Sequence, residues 1–136
     1  MRKTVLLAII FLTLLGSSSG IWAGGGKDKQ SNPQWAGIYS GVIPAADCPG
    51  IAVVAILNAG GTYKITYQYI DRGAELFTYT GTFTWDEKTK IITLNSRDLP
   101  PYYKVKGDSL IQLDLEGKEI TGKLKDFYKL RKVKTP

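Results

Sequence analysis

The clearest pattern in the chain is a strict alternation over residues 76–85. Phe77, Tyr79, Gly81, Phe83 and Trp85 hold one set of positions, and Thr78, Thr80, Thr82 and Thr84 hold the other. Successive residues of a strand point to opposite faces, so the rings share one face and the hydroxyls the other. Gly81 interrupts the aromatic row and predicts a bend or a close backbone approach at that point. Tyr63, Ile65, Tyr67 and Tyr69 alternate in the same way with Lys64, Thr66 and Gln68. Thr, Tyr and Ile dominate both segments, a composition that suits a half-buried pleated surface.

Turn residues recur at short intervals. Asn58-Ala59-Gly60-Gly61 tolerates positive φ and joins two strand-like runs, and Asp71-Arg72-Gly73, Asp86-Glu87-Lys88, Gly107-Asp108 and the segment 114–117 do the same later. Strands are predicted at 38–43, 51–57, 62–70, 76–85, 91–95, 102–106, 109–113 and 119–130, the last broken near Asp126. Leu99-Pro100-Pro101 is a loop or strand edge, because neither proline has an amide hydrogen to offer. Beyond the first apolar run, no segment keeps a helical period. The fold class that follows is all-β: a small antiparallel meander that buries one face by closing into a barrel, with a flat sandwich as the alternative.

The N-terminus has a different texture. Arg2 and Lys3 precede an apolar run from Val5 to Leu15, and small residues follow at Gly16–Gly20 and Ala23–Gly26. The run is short for a membrane span and reads as a secretory signal peptide over residues 1–23. Residues 24–34 are rich in Gly, Lys and Ser and form a flexible leader, and residues 35–136 form the barrel domain. Leu14-Leu15-Gly16-Ser17 has the shape of a lipoprotein acylation box with serine in place of the required cysteine, so the expectation is an exported, periplasmic protein without a lipid anchor.

Composition narrows the chemistry. The chain has no histidine, one methionine (Met1) and one cysteine, Cys48. The commonest general base and metal ligand is therefore absent, and no acid, base and nucleophile can be assembled into an enzyme. Cu(I) prefers soft sulfur ligands, and Cys48 is the one such group left after removal of Met1. A Cu(I) site would need a second chain. Cys48 fits a buried small hydrophobe, an exposed redox-active thiol or a nucleophile, and the last has no histidine to activate it. Neighbouring Asp47 is expected to cap the turn at Pro49-Gly50. Asp114-Leu115-Glu116-Gly117 lacks the ligands of a calcium loop and is read as a hairpin turn.

The formal charge is +6, or +4 without Arg2 and Lys3, and the excess gathers at Lys123, Lys125, Lys129, Arg131, Lys132 and Lys134. That cluster suits either contact with an anionic membrane surface or a charged edge strand and tail that resists pairing with other sheets. The plainer reading is the second. No nucleic-acid-binding module accompanies the cluster. The aromatic face could line a cavity for a small apolar ligand or fill the barrel interior. Tyr102-Tyr103, after two prolines, could present a contact for a partner, with at least one of the pair turned inward.

Several short pieces, taken in order, resemble the N-terminal domain of the NlpE family of bacterial envelope proteins. They are Tyr39-Ser40-Gly41 with Ile43-Pro44, Ala46-Asp47-Cys48 with Gly50-Ile51, Gly61-Thr62-Tyr63, the run from Gly81 to Trp85, Tyr102-Tyr103-Lys104-Val105, the run from Leu110 to Asp114, and Gly117. The resemblance runs from about Trp35 to Leu130. It implies a lipocalin-like β-barrel, commonly lipid-anchored, linked with copper resistance and with signalling of surface contact or envelope stress. Some members carry a second, OB-type domain, but the residues here are accounted for by the first. Three positions depart from the family pattern: Ala45 replaces the first cysteine of a Cys-x-x-Cys pair, Ser17 stands at the acylation position, and Gly60 replaces a turn aspartate. The expectation is a non-enzymatic exported protein in envelope homeostasis that acts by binding an envelope protein partner. The alternatives are a carrier of a small apolar ligand or lipid, and thiol or Cu(I) binding through Cys48. No other cofactor is implied.

Overall fold

Eight antiparallel strands close on themselves in chain order in the computed structural model, which describes residues 32–134. They are β1 Gly37–Ile43, β2 Ile51–Leu57, β3 Thr62–Tyr69, β4 Phe77–Asp86, β5 Ile91–Leu94, β6 Tyr102–Lys106, β7 Ser109–Gln112 and β8 Lys129–Lys132. β8 returns to β1 through Tyr39↔Lys132 and Ser40↔Arg131, which completes the barrel. The signal peptide, most of the leader and Ser17 lie outside the described residues.

The alternation read from the sequence is the alternation of the wall. Tyr63, Ile65 and Tyr67 of β3 and Phe83 of β4 are buried, while Lys64, Thr78, Thr80, Thr82 and Thr84 face solvent. Tyr39, Ile65, Ile92 and Leu110 are the largest fully buried side chains of one continuous interior cluster. Gly81 lies directly opposite Tyr63, and a Cβ there would come within 2.8 Å of the Tyr63 hydroxyl. The gap in the aromatic row is thus a close approach, with the tyrosine ring of one strand covering the bare backbone of the next. The flat-sandwich alternative is excluded by the β1–β8 ladder.

The loops sort into two ends. The segments 44–50, 70–76, 95–101 and 113–128 meet at one end, called the mouth below. The short turns 58–61, 87–90 and 107–108 meet at the other. The first of these turns follows its sequence: Gly61 adopts φ +92° and donates its amide to the Asn58 carbonyl at 2.9 Å. Asp114 Oδ1 accepts the amides of Glu116 and Lys118 at 2.9 and 2.8 Å, so its carboxylate serves a turn and not a cation.

The last predicted strand is corrected. Only Lys129–Lys132 is a strand; Glu119 forms an isolated bridge with Leu113, and Lys125–Phe127 is a single 3₁₀ turn. Gly122, at φ +98°, turns the chain out of an extended path before the break expected near Asp126. The leader also ends differently from a flexible tail. Lys132 Nζ donates to the Gln34 carbonyl at 2.7 Å, and the Ala36 amide donates to the Pro33 carbonyl at 2.9 Å. This anchoring delivers Trp35 into the end opposite the mouth. Its ring meets Phe83 edge-on with centroids 5.1 Å apart and Trp85 at 6.1 Å. Its carbonyl accepts the buried Tyr39 hydroxyl at 3.0 Å. Trp35 therefore works as a plug.

Candidate functional site at the barrel mouth

The loop 44–50 carries the only cysteine and stands at the mouth, between two clefts. It is held by backbone geometry that the residue types enforce. Gly50 is buried, and a Cβ there would lie 2.7 Å from Val42 Cγ1 and 3.2 Å from the Ile43 carbonyl, so the chain can pass only as glycine. The Gly50 carbonyl accepts the Ile70 amide at 3.0 Å, which ties this loop to the segment after β3. The same carbonyl accepts the Cys48 thiol, at 3.3 Å. Cys48 is half-buried, so it matches neither the fully buried hydrophobe nor a freely exposed thiol.

Asp47 does not cap the Pro49-Gly50 turn. Its carboxylate pairs with Arg72 at 3.3 Å, and the Arg72 guanidinium also donates to the Asp47 carbonyl at 2.6 Å. A guanidinium with several donors can hold a carboxylate and a carbonyl together, which a turn amide cannot match. Both side chains are more than half exposed, so the pair contributes at most about 1 kcal/mol. Its consequence is geometric: it joins the loops 44–50 and 70–76 across one cleft. That cleft, of about 280 Å³, is lined by Asp47, Tyr69, Arg72, Glu75 and Phe77. The other, of about 220 Å³, is lined by apolar groups from Val42, Ile43, Pro44, Pro49, Leu124 and Phe127.

Phe77 was expected on the inward face with its row. It is 38 % exposed, because β4 runs past the end of β5 at this point. It packs edge-on against Tyr69 at 5.5 Å, and Leu76 beside it is 60 % exposed. The register explains this exposure. Residues 77–82 of β4 pair with β3, but β5 pairs only with Phe83–Asp86. The stretch Phe77–Gly81 thus has no strand on its second side among the described residues, and it leaves an open sheet edge at the mouth.

Below the mouth lies a group of tyrosines. Tyr103 and Tyr67 face each other across the interior, with Tyr63 close to Tyr103. Burial pushes the Tyr103 phenol well above its usual range, and the neighbouring Tyr67 and Tyr63 phenols add to the shift. Tyr67 is also raised by burial, partly offset by its hydrogen bond with Tyr103. These rings fill the interior here and stay neutral. Of the Tyr102-Tyr103 pair, Tyr103 is the inward member and Tyr102 is half-buried.

The far end offers a third cleft, of about 380 Å³, lined by Trp35, Trp85, Glu87 and Lys90 among others. Glu87 accepts from Trp85 Nε1 and Lys90 Nζ, each at 2.8 Å. Those bonds hold its carboxyl below the usual range, the Lys90 bond first. The group is self-satisfied and offers no free reactive atom.

The loop 44–50 offers a Cu(I) ion one soft donor. Cys48 supplies one sulfur, Ala45 supplies a methyl group, and the sulfur's polar neighbour is the Gly50 carbonyl. Among the described residues no three His, Cys, Asp or Glu side chains come together as a metal site. These residues do not fit a Cu(I) site within one chain. Sequence reasoning missed Arg72, Leu76 and Phe127 as surface features of the mouth. The Arg72–Asp47 pair spans 25 positions and leaves no local signal.

The comparisons with known proteins agree with this architecture. The NlpE N-terminal domain matches residues 39–123. The lipoprotein NlpE of Escherichia coli K12 is 34 % identical over 83 residues, which is 60 % of this chain and 35 % of the relative. The chain thus matches about a third of that curated relative's length. A crystal structure of a lipoprotein from Shewanella oneidensis superposes with a TM-score of 0.66 at 35 % identity, covering 77 % of this chain and 95 % of the other. The crystal structure of the Cpx pathway activator NlpE from Escherichia coli superposes with a TM-score of 0.55 at 33 % identity, covering 67 % and 47 %. With a closed eight-stranded barrel and a family match over more than half its length, this chain belongs to the NlpE family through its N-terminal domain.

Proposed function

We propose that this protein is a non-enzymatic, exported envelope component that signals stress by binding another envelope protein at the barrel mouth. The observation that carries the reading is the open edge of β4 from Phe77 to Gly81, flanked by exposed Leu76 and Phe77. An unpaired strand edge is a ready template for another chain, and proteins that do not use such an edge usually cover or charge it. Here it carries threonines and apolar side chains, and Arg72 and Glu75 beside it can set the partner's register. The relative named as a Cpx pathway activator supports the signalling role.

The carrier reading has less behind it, because the interior side chains form one continuous packed cluster. Thiol or Cu(I) chemistry through Cys48 would need a second chain to supply a ligand. Export without a lipid anchor stays part of the proposal, resting on Ser17 and the N-terminal pattern.

The test is site-specific photocrosslinking in living cells, with the probe at Leu76 or Arg72 of the mouth and at Lys88 of the opposite end. The expected result is one discrete crosslinked envelope protein from the mouth positions and none from Lys88. Equal capture from both ends, or none from the mouth, would refute the assignment.

A further inference from the structure

Among the described strands, β2 is the one that is apolar on both sides. Its sequence is IAVVAIL, and Val53, Ala55 and Leu57 account for the buried face. Ile51 packs against the same interior, and the alternate side chains, Ala52, Val54 and Ile56, point outward. The pairing with β1 brings Ile38 beside Ile56, Ser40 beside Val54 and Val42 beside Ala52. Five aliphatic residues therefore share the outer wall of one hairpin, with Val42 51 % and Val54 42 % exposed. A strand apolar on both faces is ordinarily covered on both.

The apolar area continues at its mouth end. Val42 shares its cleft with Leu124, just before the 3₁₀ turn, and Phe127 within it, which are 50 % and 57 % exposed. The rim is basic. Arg131 of β8 sits beside Ser40, Lys129 follows on the same side of β8, Lys64 of β3 sits beside Ile56, and Lys123 and Lys125 flank Leu124. None of these five makes an ion pair with the described residues. Asp126 is the only acid from Lys123 to Lys134.

We infer that this face docks on an anionic phospholipid bilayer surface. Leu124, Phe127 and Val42 enter the acyl boundary, and the lysines and Arg131 meet the headgroup phosphates. Side chains of this kind place an apolar body in the boundary and keep charge at the headgroups. The shape favours a bilayer over a peptide, because the face is the outer wall of a barrel and its cleft holds only about 220 Å³. The charge disfavours a second copy, since two-fold pairing of this face would set Lys129 and Arg131 against their own counterparts. The face shares the mouth-end cleft of Val42, Leu124 and Phe127, but neither Arg72 nor the β4 edge takes part, so the inference does not rest on the protein-docking reading.

The experiment is vesicle flotation of the protein purified from the envelope of producing cells. Vesicles of phosphatidylcholine alone are compared with vesicles that include phosphatidylglycerol. Three proteins are used: wild type, the double variant Lys129→Glu/Arg131→Glu, and the double variant Leu124→Ser/Phe127→Ser, each checked for an unchanged β-sheet spectrum. The wild type is expected to float with the anionic vesicles, to be released by salt, and to stay behind with phosphatidylcholine alone. Each double variant is expected to bind about tenfold more weakly or worse. Equal binding of all three proteins would overturn the proposal, because another segment would then hold the bilayer. Absence of wild-type binding would also overturn it, including the case where sedimentation shows that the face instead forms a dimer or holds an acidic protein.

Discussion

Removing the Trp35 ring is the sharpest test of how the barrel is closed. The side chain is 8 % exposed and packs on Phe83 and Trp85 at the end opposite the mouth. A buried tryptophan removes on the order of 200 Å² from water. At about 25 cal/mol per Å² this amounts to about 5 kcal/mol, an upper value because the unfolded chain already hides some of that area. Trp→Ala changes in cores cost about 3–5 kcal/mol. The expected loss for Trp35→Ala is therefore about 4 kcal/mol, a large part of the roughly 5–15 kcal/mol that holds a domain of this size. Melting should fall by at least about 15 °C. Urea unfolding followed by far-ultraviolet circular dichroism measures it, with Phe127→Ala as the exposed control, expected to lose less than about 1 kcal/mol. A Trp35→Ala loss below about 1 kcal/mol would refute the plug and mean that other groups seal this end.

The other expectations concern the wall, the tyrosines and the thiol. Gly81→Ala should cost about 1–3 kcal/mol, because the new methyl group meets the buried Tyr63 ring; chemical denaturation of the variant measures this. Tyr39, Tyr67 and Tyr103 have phenols raised by burial, so the folded state keeps protons that the unfolded state gives up above about pH 10. The tyrosines' contribution should be constant below that pH and stability should fall above it, and Tyr103→Phe should flatten the fall in a series of urea midpoints. Cys48→Ser should leave copper tolerance and melting temperature nearly unchanged, since the thiol's one hydrogen bond is to a carbonyl that also holds Ile70; a clear drop in copper tolerance of producing cells would revive a metal role.

The strands were legible where local pattern and final burial coincide. The alternation in β3 and β4, the turn at Asn58–Gly61 and the two prolines beside β6 each act within a few residues, so sequence order carries them. Gly81 was legible as a special position, although the ring that covers it comes from across the sheet. The segment 119–128 was read as a strand up to a break near Asp126, whereas Gly122 takes a positive φ that diverts the chain earlier. Trp35 read only as the start of the barrel domain, since its role depends on Phe83 and Trp85, about fifty positions away. At the mouth, Cys48 was found by its rarity. The open edge of β4 was not, because it arises from the short reach of β5, a property of register and not of composition.

The central claim, that the mouth transmits a stress signal by protein contact, is tested most directly by a transcriptional reporter of an envelope-stress pathway in cells that overproduce the protein. Wild type is compared with Leu76→Asp/Arg72→Glu at the mouth and with Lys88→Glu at the opposite end, each at matched amounts in the envelope fraction. The account predicts that wild type and Lys88→Glu raise the reporter and that the mouth variant does not. A mouth variant that signals as strongly as wild type would contradict it.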